Sequence, residues 1–257
     1  MDKLEDNKDN FKSDKAYFYD SYLFEYDSIV KTIEPDEKDK LNMYLTFEKT
    51  IFHPQGGGQP ADEGTIEINN KSIKINGLLY DKDRDLILHK VSKEDSDLIK
   101  LGDKVTMKIN KEKRELHARI HSGGHLIDIA VAKLKLNLLP SKGYHFAEGP
   151  YVEYKGKLDN LDSYKEKFET LSNEVIDNSG SDKVDVQIHE FEEAKKLYEV
   201  PDYMPKDKPV RWVKLTNYDL GCPCGGTHVK QLKDIGKMKI MKLTKKKDII
   251  RVSYQVC

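Results

Sequence analysis

Ile120-His121-Ser122-Gly123-Gly124-His125 sets two histidines four residues apart. With 3.6 residues to a helical turn they lie one above the other on one face, so their imidazole nitrogens can reach a single cation. Leu116, Ile120, Ile127, Val131, Leu134 and Leu138 recur around them at mostly three- and four-residue spacing. That stripe predicts an amphipathic helix over residues 110–138, capped by Asn110, with Glu112 in its first turn and Pro140 as its stop. Its apolar face is core, and His117, one turn before His121, stands near the pair as an outer polar group.

Far downstream, Cys222-Pro223-Cys224-Gly225-Gly226-Thr227-His228 repeats the four-residue spacing with Cys224 and His228. Thiolate and imidazole suit Zn²⁺, at Zn–S distances of ~2.3 Å and Zn–N distances of ~2.0 to 2.1 Å. Neither half closes a tetrahedral site alone, but His121, His125, Cys224 and His228 together do. Cys222 is a neighbour or a substitute ligand. Gly123 and Gly124 each cost up to about 1 kcal/mol in a helix relative to alanine, which implies that something approaches the backbone there closely. A purely structural zinc site does not need such room. The glutamate of HExxH metalloproteases is absent, with Ser122 and Gly123 in its place, so the pattern points to a bond easier than a peptide, such as an ester.

Lysine and arginine (44) nearly balance aspartate and glutamate (45), for a net charge of −1. No global basicity announces nucleic acid, and only a local patch can serve such a partner. The three cysteines are no disulfide framework and fit a reducing compartment. With neither an apolar leader nor a membrane-length apolar run, the expectation is a soluble, cytoplasmic protein.

Residues 1–15 read as a charged tail. Residues 16–30 and 41–47, dense in Tyr and Phe and separated by a turn at 35–40, read as strands. Ile66 and Ile68, the turn Asn69-Asn70, then Ile73 and Ile75 make the clearest hairpin. With strands at 78–80, 86–91 and 105–109, the first 109 residues read as a small β-barrel. Beyond the long helix the pattern gives a strand at 149–156, a helix at 162–176, strands at 184–191 and 210–215 flanking a short helix at 192–198, and two strands within 235–256 joined at Lys245-Lys246-Lys247-Asp248. The expected class is α+β: an N-terminal barrel domain, 1–109, then a two-layer domain, 110–257, with helices packed on an antiparallel sheet.

His121-Ser-Gly-Gly-His125, Cys224-Gly-Gly-Thr-His228 and the upstream His53-Pro-Gln-Gly-Gly-Gly-Gln-Pro-Ala-Asp-Glu-Gly64 together resemble the motifs of the alanyl-tRNA synthetase editing domain. The chain is more similar still to the free-standing trans-editing proteins of the AlaX kind, from about residue 51 to its end and in the same order. The resemblance implies a zinc-dependent hydrolase that cleaves the ester joining a wrong serine or glycine to alanine tRNA. It implies one zinc ion held by His121, His125, Cys224 and His228, with the histidine pair at the catalytic centre. It places the glycine-rich motif against the editing pocket, offering Gln59, Asp62 and His53 as polar groups, Thr227 from the second motif, and Lys142 and His145 toward the terminal adenosine. Backbone amides of Gly57 and Gly58 are then the expected donors to the developing oxyanion.

Lys230, Lys233, Lys237, Lys239, Lys242, Lys245 to Lys247 and Arg251 form the most basic region, either a solvated face or a seat for acceptor-stem phosphates. Two other classes fit the same residues: a zinc-stabilised RNA-binding module without catalysis, and a metallohydrolase acting on another acyl ester. An editor of the threonine system is a near relative of the main expectation.

Overall fold

The computed structural model describes residues 12–257. It divides into two compact units, the first holding the chain to Gln55 with Pro60–Arg114, the second holding Gly56–Gln59 with Glu115–Cys257. The class is mixed α and β, with four α-helices and mostly antiparallel sheets among the described residues.

In the first unit the strands are β1 (Asp14–Lys15), β2 (Glu25–Pro35), β3 (Asn42–Phe47), β4 (Lys49–Thr50), β5 (Gly64–Ile68), β6 (Lys71–Lys74), β7 (Gly77–Asp81), β8 (Leu86–Ser92) and β9 (Lys104–Ile109), with α1 (Lys93–Ser96) between the last two. The expected tail lies outside the described residues as far as residue 11; Asp14 and Lys15 instead pair in parallel with Lys49 and Thr50. The aromatic stretch at 16–30 is no single strand, because Ala16–Phe18 forms a 3₁₀ turn before β2 begins at Glu25.

Seven strands form one sheet in the order β6-β5-β9-β2-β3-β8-β7. The long β2 pairs with β9 through its first half and, after a register shift between Val30 and Thr32, with β3 through its second. Such an irregularity bends a sheet and lets both halves share one core. That core contains Val30, Leu45, Phe47, Ile66, Val91 and Met107. No ladder joins the edge strands β6 and β7 among the described residues, so no closed barrel is found. The β5–β6 hairpin turns as expected, with Asn69 and Asn70 at φ 49° and 61°, the left-handed pair that a two-residue turn requires.

His89 is fully buried in this unit, with Nδ1 donating to Leu45 O (3.2 Å) and Nε2 accepting from Thr50 Oγ1 (2.8 Å). Burial lowers its pKa from 6.5 to about 4. The unfolded chain therefore gains a proton at a higher pH than the folded one, and stability is lost as pH falls through that window, by an amount of order 3 kcal/mol. Urea midpoints measured from pH 7 to pH 4 should fall more steeply for the wild type than for His89→Gln.

The second unit opens with α2 (Lys111–Lys133), whose first residues belong to the first unit. Asn110 caps it, its Oδ1 accepting from Lys113 N at 3.0 Å. The helix stops short of residue 138: Lys135 adopts φ 51°, Leu136 N donates to Val131 O and Lys135 N to Ala132 O. That pair of hydrogen bonds around a left-handed residue terminates helices, and Leu138 and Pro140 pass instead into edge strand β10 (Leu138–Tyr144). There follow β11 (Tyr151–Gly156), α3 (Asp162–Ser179), β12 (Asp185–His189), α4 (Phe191–Leu197), β13 (Val210–Lys214), β14 (Cys222–Pro223), β15 (Met238–Lys246) and β16 (Ile249–Val256).

Four of these strands make an antiparallel sheet, β10-β11-β16-β15, and three make a smaller one, β12-β13-β14. Val152, Tyr154, Ile250, Val252 and Tyr254 alternate onto one face of the larger sheet and share a core with Ile120, Leu126 and Ile127 of α2 and with Phe168 and Val175 of α3. The expected helices-on-sheet layering is what this unit shows.

Candidate metal centre

Three imidazoles and one thiolate converge in the second unit. His121 and His125 come from adjacent turns of α2, and Cys224 and His228 from the loop after β14; their ligating atoms all lie within 4.8 Å of one another. Cys224 Sγ is 3.4 Å from His121 Nε2 and 3.3 Å from His228 Nε2. A tetrahedral ion with Zn–S and Zn–N bonds of ordinary length has ligand–ligand edges of about 3.3 to 3.6 Å, so these two edges already have the required size.

What fixes the rings is the nitrogen each turns away from the centre. Nδ1 of His121 donates to Gln59 Oε1 (2.9 Å), and Nδ1 of His228 to Ser122 Oγ (3.2 Å). Nδ1 of His125 faces Cys222 Sγ at 3.4 Å and Asp128 Oδ2 at 3.7 Å. A histidine whose Nδ1–H is held by an acceptor presents an unprotonated Nε2, the form that binds a cation. Cys222 is thus a partner behind His125 and no member of the cluster.

The thiolate side is supported in the same way. Arg211 Nη1 donates to Cys224 O (2.6 Å) and Gly226 O (3.0 Å), and Gly226 N reaches Cys224 Sγ at 3.5 Å. Burial pushes the Cys224 thiol up, yet the hydrogen bond and charge of His125, with Arg211, bring it below its ordinary value. Burial likewise opposes charge on His125, but Cys222 and then Cys224 hold its pKa well above the usual imidazole range. Burial raises the pKa of Asp128, whose Oδ1 accepts from Tyr154 Oη at 2.5 Å. The four-donor set can hold a metal ion, and its chemistry fits a borderline-soft divalent cation.

The glycines around the cluster are filled in by the protein itself. A Cβ at Gly226 would overlap the His121 ring, and one at Gly123 would come within 3.0 Å of Met238 Sδ and Val256 Cγ1. One at Gly124 would reach His145 Nδ1 and Tyr254 Oη at 3.1 Å. The close approach inferred from the glycine pair is real, but the sheet and His145 make it, so the pair is no sign of substrate room. Gly57 differs: with φ 56°, its Cβ would meet only His121 Cε1, at 3.8 Å. It borders open space beside the ring.

The segment Gly56–Gln59 closes a tight turn, Gly56 N and Gln59 N each donating to the other's carbonyl. Gly58 O accepts from His145 N at 2.8 Å. Gln59 and Thr227 are fully buried and bonded to each other, Nε2 to Oγ1 at 2.9 Å, while Thr227 N donates to Gln59 Oε1 at 2.9 Å. The turn is knitted to the Cys-Gly-Gly-Thr-His loop through one amide. His145 stacks on His121, centroids 4.3 Å apart. Tyr254 Oη donates to Ile120 O (2.9 Å) and accepts from His145 Nδ1 (2.7 Å), leaving His145 Nε2 unprotonated. Burial, with the charge of His125, lowers the His145 pKa to about 3.

Residues 2–113 match the family described as tRNA synthetases class II (A), and residues 210–252 the threonyl and alanyl tRNA synthetase second additional domain. The second match carries Arg211, Cys224, Gly226, Thr227 and His228. The chain is 30% identical to the alanyl-tRNA editing protein AlaX-M of Pyrococcus horikoshii, over 89% of its own length and 90% of that protein. The chain belongs to the alanyl-tRNA editing proteins. It is also 31% identical to AlaX-L of the same organism over 94% of its length, and 34% identical to the alanine-tRNA ligase of Methanobrevibacter smithii over 92%. It spans 57% of that AlaX-L and 26% of that ligase.

The other residues expected at the site have these surroundings. Asp62 is in the first unit, where its carboxylate takes Arg114 Nε (2.9 Å) and Nη2 together with His53 N (2.6 Å). Arg114 and Asp62 are buried, and the guanidinium also donates to Ser21 O and Ile51 O. His53 sits beside them, edge-on to Tyr17. Lys142 is exposed on β10. His117 is buried and is not one of the clustered donors. Ser122, Asp128 and Arg211 escaped the sequence reading. Asp128 carried a faint signal, a carboxylate one turn after His125; Ser122 and Arg211 carried none, since their partners lie far along the chain.

Gly226→Ala should lose stoichiometric metal by mass spectrometry, because its methyl group displaces the His121 ring, whereas Cys222→Ala should keep it. Asp62→Ala should leave the Arg114 charge buried and unpaired and cost about 3 to 5 kcal/mol in chemical denaturation, without removing any metal ligand.

Proposed function

We propose that the protein is a zinc-dependent trans-editing hydrolase of the cytoplasm that cleaves serine or glycine from wrongly charged alanine tRNA. The observation that carries this reading is the convergence of three Nε2 atoms and one thiolate, each held from behind, in a chain similar over most of its length to AlaX-M. His121, His125, Cys224 and His228 would hold one zinc ion, which when bound supplies a Lewis acid beside the ester and its attacking water. Peptide cleavage of the HExxH kind lacks its glutamate here.

The chain's own groups then divide the work. Gln59 and Ser122 orient His121 and His228, and Asp128 with Cys222 orients His125. Gly57, open beside His121, and Gly58 contribute backbone amides to the oxyanion that forms as water adds to the ester carbonyl. His145, neutral and stacked on His121, offers its Nε2 as an acceptor to the substrate's terminal ribose or amino group. Thr227 holds Gln59 and so sets the rim of the amino-acid pocket. In this reading residues 110–257 carry the hydrolytic chemistry and residues 1–109 supply the glycine-rich turn.

Release of serine from Ser-tRNA(Ala), measured beside Ala-tRNA(Ala) on the same transcript, tests the reading. Selective release that disappears on chelation is the expected result, and Cys224→Ala should lose metal and activity together. Gly57→Ala should keep its metal but turn over about 10²-fold more slowly, because a small displacement at the reacting centre has that cost. Bound tRNA with no release from either substrate would mark a zinc-stabilised binding module instead.

A further inference from the structure

The larger sheet of the second unit packs one face on α2 and α3, and its outer face carries exposed and half-buried side chains among the described residues. Register brings Tyr144, Tyr151, Ser253 and Lys242 into one row across the four strands of the outer face, and Lys142, Glu153, Arg251 and Thr244 into the next. The intervening Val152, Tyr154, Val252 and Tyr254 point into the core. On the outer face Lys142, Arg251 and Lys242 are exposed, and Tyr144 and Tyr151 are half-buried.

These side chains are stacked. The rings of Phe146 and Tyr144 lie 4.4 Å apart and those of Tyr144 and Tyr151 5.1 Å apart, both pairs within 15° of parallel. Arg251 Cζ lies 3.9 Å from the Tyr151 centroid, its guanidinium held by Nε and Nη2 donating to Glu153 Oε1 at 2.9 and 2.7 Å. Glu153 is the one carboxylate in the two rows, and Arg251 matches its charge. What remains is a column of stacked rings edged by two further cations, Lys142, whose Nζ lies 5.8 Å from the Tyr151 centroid, and Lys242. Planar bases stack on such faces while cations track phosphates, and single strands offer free base faces where duplexes do not.

The column lies one residue from the metal centre. β10 is the edge strand of its sheet; it ends at Tyr144 on the outer face, and the next residue, His145, stacks on His121. We propose that Tyr144, Tyr151 and Arg251, with Lys142 and Lys242, form a stacking platform for the unpaired nucleotides that precede the 3′-terminal residue of an aminoacylated RNA. The strand crosses the β10 edge, so that its esterified end reaches the cluster while the preceding bases lie on the platform. This rests on the reading of the cluster as an aminoacyl-ester site.

The test is fluorescence anisotropy with the full-length protein and two RNA hairpins, one with an unpaired 3′ tail and one blunt. Wild type should bind the tailed hairpin about 5- to 150-fold more tightly, the range expected for one stacked base. Tyr151→Ala should lose most of that advantage and Tyr151→Phe should keep it, with metal content, melting temperature and affinity for the blunt hairpin unchanged in both. Lys142→Ala with Lys242→Ala should weaken binding of the tailed hairpin and flatten its salt dependence. No preference of the wild type for the tail, or a preference untouched in Tyr151→Ala, would overturn the platform. Serine release, assayed separately on the wild type, tells the two proposals apart: tail preference without release would retire the hydrolase and keep the platform, and release without tail preference would do the reverse.

Discussion

A metal centre built from three histidines must solve an orientation problem before it can solve a chemical one. Each imidazole has two similar nitrogens, and only a ring whose far nitrogen is engaged offers the near one as a ligand of defined position. Here those engagements run from Gln59 to His121, from Ser122 to His228, and from Cys222 and Asp128 to His125. The partners come from the glycine-rich turn, from α2 itself and from β14, so the second unit has to bring those segments together for the site to exist.

The same demand explains the glycines. The Cys224–His228 loop can reach the His121 ring only if residue 226 has no side chain, and α2 lies so close to Met238, Val256 and Tyr254 that a side chain at residue 123 would crowd them. Each glycine weakens the helix intrinsically by up to about 1 kcal/mol. That cost is offset where the helix gains contact with a sheet whose inward residues are buried. The pairing at Gly124, where His145 and Tyr254 fill the missing side chain, links this packing to the centre, because His145 is at once a wall of the site and the residue that follows the edge strand.

The four-stranded sheet therefore has two chemically distinct faces. Its inner residues bury against α2 and α3 and hold the histidine helix in place. Its outer residues, carried on the same strands with the opposite parity, present stacked rings and cations. In a pleated strand a one-residue step changes the face, so Val152 and Tyr154 of β11 face the core while Tyr151 and Glu153 face outward.

Much of this was legible in the order of residues. Periodicity located the histidine helix, its Asn110 cap, the Asn69-Asn70 hairpin and the final pair of strands, because caps, left-handed turns and alternation are local and act through neighbouring residues. Spacing pointed to His121 and His125, since a four-residue interval puts two ligands on one side of a helix, and the resemblance of the Cys-Gly-Gly-Thr-His motif supplied Cys224 and His228. Tertiary structure decided the rest. It ended α2 at a left-handed lysine that no glycine announced, left the seven-stranded sheet open at β6 and β7, and committed Asp62 to a buried partner in Arg114. It also chose Cys224 over Cys222 by turning one sulfur toward the centre and the other toward the back of His125. These outcomes depend on which groups meet across long stretches of chain, and no local propensity encodes such a meeting.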